Sequence, residues 1–310
     1  MRFPFGLFVS VLLLSGCTTT STSEVKVVVS TNILGDVVNE IVSCGGGSTD
    51  VLMPIGASAH DFSVSSQQVV AMTTADLVVL NGLGLESGLK KVINNVKAEG
   101  GRVLEVGEGV EPLEVSVDGE IEEHSHDHDH DHEHGEFDPH FWLDMAKMAK
   151  AALIIGQELS EITDTSNYEK CAEDLSDEIL AKEASLIGEL NQIPLEKRLL
   201  VVDHESFNYF ASAYNFEVVG SLIPSISDNA QPSSDELAAL VSLIQQRNIT
   251  AIFVASENTK KLATALASEV GRPISVNTLY EGSLGEKDSD ANTYLKMMEF
   301  NVKTIVKALS

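Results

Sequence analysis

The chain has 310 residues, and 47 acidic residues outnumber 20 lysines and arginines, which gives a formal net charge of −27 at pH 7. Such an acidic chain argues against nucleic acid or an anionic membrane surface as a partner, because both are bound through basic patches, whereas it attracts cations. At about 100–200 residues per domain, the length suggests two domains.

The N-terminus has the features of a secretory signal. Residues 1–16 combine a basic start, an apolar run too short to span a bilayer and a small-residue end. Leu14–Cys17 resembles a lipobox, so we expect cleavage before Cys17 and a lipid on its thiol. Residues 17–24 would then be a flexible tether, because Thr18–Ser23 has no apolar residue to bury. The alternative is cleavage at another small residue, with Cys17 incidental. We expect an extracytoplasmic protein, periplasmic or on the cell surface, that touches the membrane only through its lipid.

Short runs of β-branched residues recur before helix-like stretches in the first half of the chain. We predict that four of them are buried parallel strands: Lys26–Thr31, Asp50–Ile55, Leu77–Asn81 and Val103–Val106. They define an N-terminal α/β domain over residues 25–145. Within it, residues 118–136 lack an apolar pattern and are predicted to be a disordered, acidic, histidine-rich loop.

The second half repeats the same pattern. Its predicted strands are Arg198–Asp203, Phe216–Val219, Ala251–Ala255 and Pro273–Asn277, in a C-terminal α/β domain over residues 195–310. Residues 146–194 are predicted to be a helical linker. Apolar residues at near-helical spacing indicate one long helix over about 165–191, spanning about 40 Å and ending before Pro194. The fold is therefore predicted to be two parallel-sheet α/β domains joined by a rigid backbone helix, with an ordinary surface helix as the alternative.

Beyond Cys17 the chain has two cysteines. Cys44 and Cys171 show no metal-ligand spacing, but they could pair in an oxidising extracytoplasmic space. The sequence leaves open whether they do.

The nine histidines indicate a metal-binding protein, because imidazole is the commonest protein ligand for borderline transition ions. Six alternate with acidic residues or serine in the predicted loop: His124, His126, His128, His130, His132 and His134. The other three, His60, His140 and His204, stand alone. His60 and His204 follow predicted strands, and ligand sites in open α/β sheets form beyond the carboxyl ends of strands. Each alone is more often structural, but together they predict an ion clamped between the domains.

Three imidazoles favour Zn²⁺ over Mn²⁺, which prefers oxygen-rich sites, although the order of affinities alone would also allow Cu²⁺ or Ni²⁺. Glu281, after the last predicted strand, is our candidate for the fourth ligand. Glu257, Glu205 and water are the alternatives. We expect the histidine-rich loop to gather or buffer ions at weak sites, with a solvated loop of no physiological effect as the alternative.

Six motifs, in their order and spacing, resemble the metal-binding lipoproteins of the cluster A-I solute-binding family, the receptors of zinc and manganese ABC importers. They are Ser30–Asp36, Met53–His60, Ala75–Glu86, Asp138–Asp144, Ala230–Leu237 and Asn292–Met298. The resemblance covers nearly all of the mature chain. It implies two α/β domains joined by a backbone helix, metal bound between them and delivery to a membrane permease.

The resemblance also implies a ligand set, with the first three positions on His60, His140 and His204. Manganese-type members often have Glu at the third position, so His204 favours zinc, as does the histidine-rich insertion. Two positions depart from the family: its Asp falls on Gly282, and a common Glu falls on Ala255. The first departure leaves the fourth ligand open.

Function is therefore predicted to be capture of a metal ion, most simply Zn²⁺, by a monomeric binding protein that hands it to an importer. A manganese receptor and a metal-buffering or adhesin lipoprotein are alternatives. A zinc hydrolase with Glu205 as general base is a third class, but the chain has no His-Glu-x-x-His helix. We do not expect an enzyme.

Overall fold

The computed structural model describes residues 24–114, 137–226 and 230–310, so the predicted signal, the Cys17 anchor and the histidine-rich loop lie outside the described residues. The described strands are β1 (Val25–Val29), β2 (Gly47–Val51), β3 (Leu77–Leu80), β4 (Val103–Glu105), β5 (Leu199–Val202), β6 (Glu217–Ser221), β7 (Ala251–Val254) and β8 (Ser275–Thr278). The helices are α1 (Asn32–Gly45), α2 (Ser66–Thr74), α3 (Lys90–Ala98), α4 (Met145–Thr163), α5 (Asn167–Leu190), α6 (Asn208–Tyr214), α7 (Ser234–Gln246), α8 (Glu257–Glu269) and α9 (Tyr294–Leu309). Of the helices in these ranges, none combines the length and apolarity needed to span a bilayer.

The N-terminal half is built on a four-stranded parallel sheet in the order β2-β1-β3-β4. Its central strands are apolar on both faces, and β3 is buried throughout. All four strands run in one direction, so their carboxyl ends meet at one edge of the sheet. This edge faces the C-terminal half.

Seven predicted strands match observed strands to within two residues at each end, but the second does not. It was predicted at Asp50–Ile55, whereas β2 covers Gly47–Val51. Because β2 is an exposed edge strand, its pairing residues carry no apolar pattern. Pro54, which has no N–H to donate, lies in the loop beyond it.

The C-terminal half contains two parallel pairs, β5 with β6 and β7 with β8, and β5 lies beside β7. A separate apolar cluster lies between these strands and helices α7 and α8, with Ile244 and Ile252 fully buried in it. The two halves therefore have different frameworks: one continuous sheet in the first, and two strand pairs in the second.

Two antiparallel helices, α4 and α5, connect the halves. The predicted long helix corresponds to α5, whose 24 residues span about 36 Å. The two helices pack closely at Gly156, where an added Cβ would clash with the Cβ of Ala172. The main apolar core runs from the first sheet through α4, α5 and α9 to residues of the second half such as Phe210 and Phe253, so the halves share one core.

The two remaining cysteines are joined. Cys44, near the end of α1, forms a disulfide with Cys171 of α5, with Cα atoms 6.0 Å apart and 127 positions apart in the sequence. The bond attaches the first sheet's leading helix to the connecting helix. The pairing that the sequence left open is therefore present.

Candidate metal centre

The three isolated histidines lie in loops at the cleft between the halves, two of them after strands and one before a short helical turn. His60 follows β2 in a loop and is partly exposed, and His204 comes two residues after β5. His140 directly precedes a short helical turn, Phe141–Leu143. His140 and His204 are buried, at 1% and 4% exposed. Together they line a cleft of about 320 Å³, which Trp142 and Glu281 also line.

The ring nitrogens of these histidines converge on one point. The Nε2 atom of His140 lies 3.3 Å from Nε2 of His60 and 3.3 Å from Nε2 of His204. Nitrogens bound at 2.0–2.1 Å to a tetrahedral zinc ion would lie about 3.3 Å apart. Among the described residues, these three form the single group of His, Cys, Asp and Glu side chains close enough to share an ion.

A buried carboxylate orients His140. Asp138 Oδ1 lies 2.8 Å from Nδ1 of His140 and also accepts a hydrogen bond from its backbone N–H. The other oxygen, Oδ2, accepts from Asn208 at 3.1 Å. A carboxylate on Nδ1 fixes the ring and leaves Nε2 as the nitrogen available to an ion.

His204 has a similar neighbour in Glu281. Glu281 Oε1 lies 2.9 Å from His204 Nδ1, and Oε2 accepts from the buried Ser206 hydroxyl at 2.9 Å. Burial acts to raise the pKa of Glu281, but His204 and Ser206 together hold it below its usual range. The fully buried Glu281 is therefore held ionised beside His204. Both of its oxygens face groups other than the point where the Nε2 atoms meet.

Asp203 supports the same strand end. Its Oδ2 accepts from the backbone N–H of Ala255 and from the Thr259 hydroxyl, both at 2.9 Å. Burial, together with the nearby charge of Glu281, raises the pKa of Asp203 to about 6. Ala255 thus contributes a backbone group that ties the end of β7 to the end of β5.

Glu257 and Glu205, the alternative candidates for the fourth ligand, are not part of the histidine group. Glu257 is exposed at the start of α8 and lies 3.4 Å from Lys260. Glu205 is partly buried, and burial together with the charge of Asp138 raises its pKa.

Three supporting residues were not singled out from the sequence. Asp138 lies two residues before His140, and Ser206 lies two residues after His204. A polar residue at this spacing from a candidate ligand is the sequence signal that could have identified them. Trp142 donates from Nε1 to the backbone carbonyl of Glu281 at 2.6 Å, and no sequence pattern points to that contact.

Two α/β halves that share a helical connection and enclose three convergent imidazoles define a protein built to hold one transition-metal ion. The chain belongs to the ZnuA family, described as the periplasmic component A of a zinc-uptake complex, whose model matches residues 27–308. The resemblance drawn from the motifs is confirmed, as is the two-domain α/β fold.

Curated relatives include proteins named for either metal. The manganese-binding lipoprotein MntA of Halalkalibacterium halodurans is 29% identical, covering 99% of this chain and 98% of the relative. The zinc-binding protein TroA of Treponema pallidum is 27% identical, covering 92% and 88%.

Solved structures show the same likeness. The periplasmic zinc-binding protein TroA from Treponema pallidum superposes with a TM-score of 0.80 at 25% identity, covering 93% of this chain and all of the other. A manganese-bound periplasmic metal-binding protein from Candidatus Liberibacter asiaticus gives 0.78 at 25% identity with the same coverage.

Proposed function

We propose that this protein captures Zn²⁺ outside the cytoplasmic membrane and delivers it to the permease of an ABC importer. The observation that carries the proposal is the convergence of three Nε2 atoms in a cleft between two domains, with two 3.3 Å separations that suit a tetrahedral ion. Membership of a family described as a zinc-uptake component supports it. Zinc is here the cargo, bound and released unchanged.

Zinc is preferred because all three members of the group offer nitrogen. The carboxylates nearest to the three histidines, Asp138 and Glu281, face Nδ1 atoms and lie outside the group of possible ligands. Manganese is the second candidate, since relatives such as MntA are named for it. Mn²⁺ would need oxygen ligands, which Glu281 could supply only by leaving His204 or Ser206.

We assign the ligand positions to His60, His140 and His204. Glu281, expected from the sequence as the fourth ligand, remains a prediction in that role. Its contacts favour a different one, in which its carboxylate orients His204 and water completes the coordination.

The envelope location rests on the sequence and on the relatives. Residues 1–16 would be removed as a signal, and Cys17 would carry lipid. Relatives such as MntA, which align with nearly the whole chain, are named lipoproteins. We further propose a monomer, with a permease as its protein partner and no covalent chemistry. A hydrolase would need a positioned base, and Glu205 does not join the histidine group.

The histidine-rich loop is proposed to gather or buffer ions near the cleft. Its six histidines lie outside the described residues, but the chain on either side of it supports the idea. Glu114 and Phe137 form an antiparallel bridge, and Asp138, one residue further on, contacts His140. Ions bound between these flanks would therefore be held close to His140, a ligand of the cleft. A metal-buffering or adhesin role without uptake remains the competing reading.

Chelator-competition titration of Zn²⁺ and Mn²⁺ into residues 18–310 tests the proposal. We expect one tight zinc equivalent, much weaker manganese binding, and loss of the tight equivalent in the triple variant His60→Ala, His140→Ala, His204→Ala. Deleting residues 124–134 is the matched control, which should remove weak equivalents and keep the tight one. Tight binding that survives the triple variant would place the metal elsewhere and favour buffering. Unchanged stoichiometry after the deletion would contradict the role of the loop.

A further inference from the structure

A four-residue segment of the C-terminal half, Glu281–Leu284, is hydrogen-bonded to three elements of the N-terminal half. The Trp142 indole N–H donates to the carbonyl of Glu281 at 2.6 Å. The backbone N–H of Gly56 donates to the Ser283 hydroxyl at 2.8 Å, and the N–H of Leu284 donates to the Asn32 side chain at 2.8 Å. The segment that carries the carboxylate beside His204 is therefore held from across the cleft.

Asn32 makes most of this connection. It is the first residue of α1, at the cleft end of the helix, and is 9% exposed. Its Oδ1 accepts from Leu284, while its Nδ2 lies 3.2 Å from the Ser283 hydroxyl and 3.3 Å from the carbonyl of Pro54. One amide thus joins the Glu281–Leu284 segment to the loop that begins at Pro54.

That loop leads to His60. Gly56, which contacts Ser283, lies four residues before His60 and has a positive φ of 79°, a conformation that suits glycine. The partners of Asn32 and Ser283 therefore lie on both sides of the ion site: one loop carries His60, and the other carries the neighbour of His204. Separating the two loops would break these bonds and move the histidines apart.

We propose that Asn32 and Ser283 form an interdomain latch that sets how fast zinc leaves the cleft without touching the ion. The inference rests on the proposed function, because it concerns the same three-histidine site. Both are positioning residues: they hold the loops that place His60 and Glu281. Opening the cleft for release must break the Asn32–Leu284 and Ser283–Gly56 bonds, whereas the ligand atoms stay the same.

The test is a release-rate measurement on residues 18–310 loaded with one equivalent of Zn²⁺ and mixed with excess pyridylazoresorcinol, which reports freed zinc. Asn32→Ala and Ser283→Ala should each release zinc about tenfold faster, equivalent to about 1.4 kcal/mol. The association rate should change by less than about twofold, because affinity differences among variants of one site lie mainly in dissociation. The absorption spectrum of the Co²⁺-loaded protein should stay that of wild type, since the ligands are unchanged.

Three further variants separate a latch from general destabilisation. For the double variant Asn32→Ala, Ser283→Ala, the fold increase in release rate over wild type should not exceed the product of the increases in the two single variants. Both bonds belong to one network, so their effects should not be independent. Ser283→Thr keeps the hydroxyl and should restore slow release. Asn39→Ala with Ser43→Ala is the matched control, because it removes a contact of 3.4 Å between an asparagine and a serine on the exposed face of the same helix.

Wild-type release in the double variant would overturn the latch, as would equal acceleration in the Asn39–Ser43 control. An altered Co²⁺ spectrum in Asn32→Ala would also overturn it, because the residue would then act on coordination. A wild-type protein with no slowly released zinc would instead contradict the proposed function.

Discussion

His60 and His204, which the two halves of the molecule contribute from opposite sides of the cleft, are supported in different ways. The N-terminal half has a continuous four-stranded sheet and a disulfide, yet it presents His60 from a partly exposed loop after an edge strand. The C-terminal half has two strand pairs, and it presents buried His204 two residues after β5, beside a buried carboxylate. The N-terminal half thus carries both the least enclosed ligand, His60, and the most enclosed one, His140, at 1% exposed.

The three ligands therefore differ in how their side chains are held. Burial and a neighbouring carboxylate hold His204 in place, as they hold His140. His60 is carried by the loop that the Asn32–Ser283 latch holds. We infer that the two buried ligands, His140 and His204, contribute more to the stability of the fold than the partly exposed His60.

The largest effects are expected from the ligands themselves. His204→Ala should weaken zinc binding by more than about 100-fold, since even residues that only orient ligands are worth about 10–100-fold. It should also destabilise the metal-free protein by about 3 kcal/mol, because the buried Glu281 carboxylate loses its neighbour. His60→Ala should weaken binding but change the free energy of unfolding by less than about 0.5 kcal/mol. Chelator competition and urea denaturation measure both. Equal stability losses would refute the contrast.

Removing the disulfide should affect the framework without affecting the site. Cys44→Ser with Cys171→Ser should lower the free energy of unfolding by about 2–5 kcal/mol, given the long loop that the bond closes. Zinc affinity should stay unchanged, because Cys44 lies at the end of α1 remote from Asn32. Denaturation with and without reductant, on the same loaded protein, checks this. Loss of tight zinc binding would show that the framework and the site are coupled.

Neutralising the two orienting carboxylates should have an intermediate effect. Asp138→Asn and Glu281→Gln should each lower zinc affinity about 10–100-fold, because a carboxylate on Nδ1 raises the basicity of the ligand and fixes its ring. Glu257→Gln, at an exposed carboxylate outside the histidine group, is the control and should leave affinity at the wild-type value. Competition titration distinguishes them. Affinity unchanged in Glu281→Gln would remove its assigned role.

The smallest effect concerns the attachment of α9 to α5. Lys182 lies 2.8 Å from Glu299, and hydrogen bonds from Lys182 and Lys303 lower the pKa of Glu299 to about 2. A lowered pKa contributes stability above the usual value of 4.5, which is lost as pH falls toward 2. Glu299→Gln should therefore cost less than about 1 kcal/mol at pH 7 and nothing below about pH 2. Thermal unfolding of wild type and Glu299→Gln across this pH range measures the difference in stability. A difference that persisted in acid would contradict the role of the ion pair.

Sequence reasoning found the fold and the converging histidines because both depend on local signals. Buried strands show as β-branched runs, and three isolated histidines, two of them after predicted strands, are few enough to assign. The domain boundaries at residues 145 and 194 remain predictions.

The parts that sequence reasoning left open or missed depend on distant pairings. The Cys44–Cys171 bond joins residues 127 positions apart, and Asn32 contacts residues about 250 positions away. Glu281 was named from the sequence as the fourth ligand, which stays a prediction, and the groups that its two oxygens face follow from packing alone. The position of β2 was wrong because an exposed strand has no apolar pattern to detect.

The bridge between Glu114 and Phe137 has a practical consequence for protein engineering. The Tyr209 hydroxyl accepts from Leu113 N–H and donates to the Asp138 carbonyl, so both flanks of residues 115–136 are fastened to one buried side chain. We therefore expect that the chain between them can be exchanged without moving His140. This junction is therefore a natural splice point for a fluorescent reporter, which would turn the protein into a sensor for the ion that it binds.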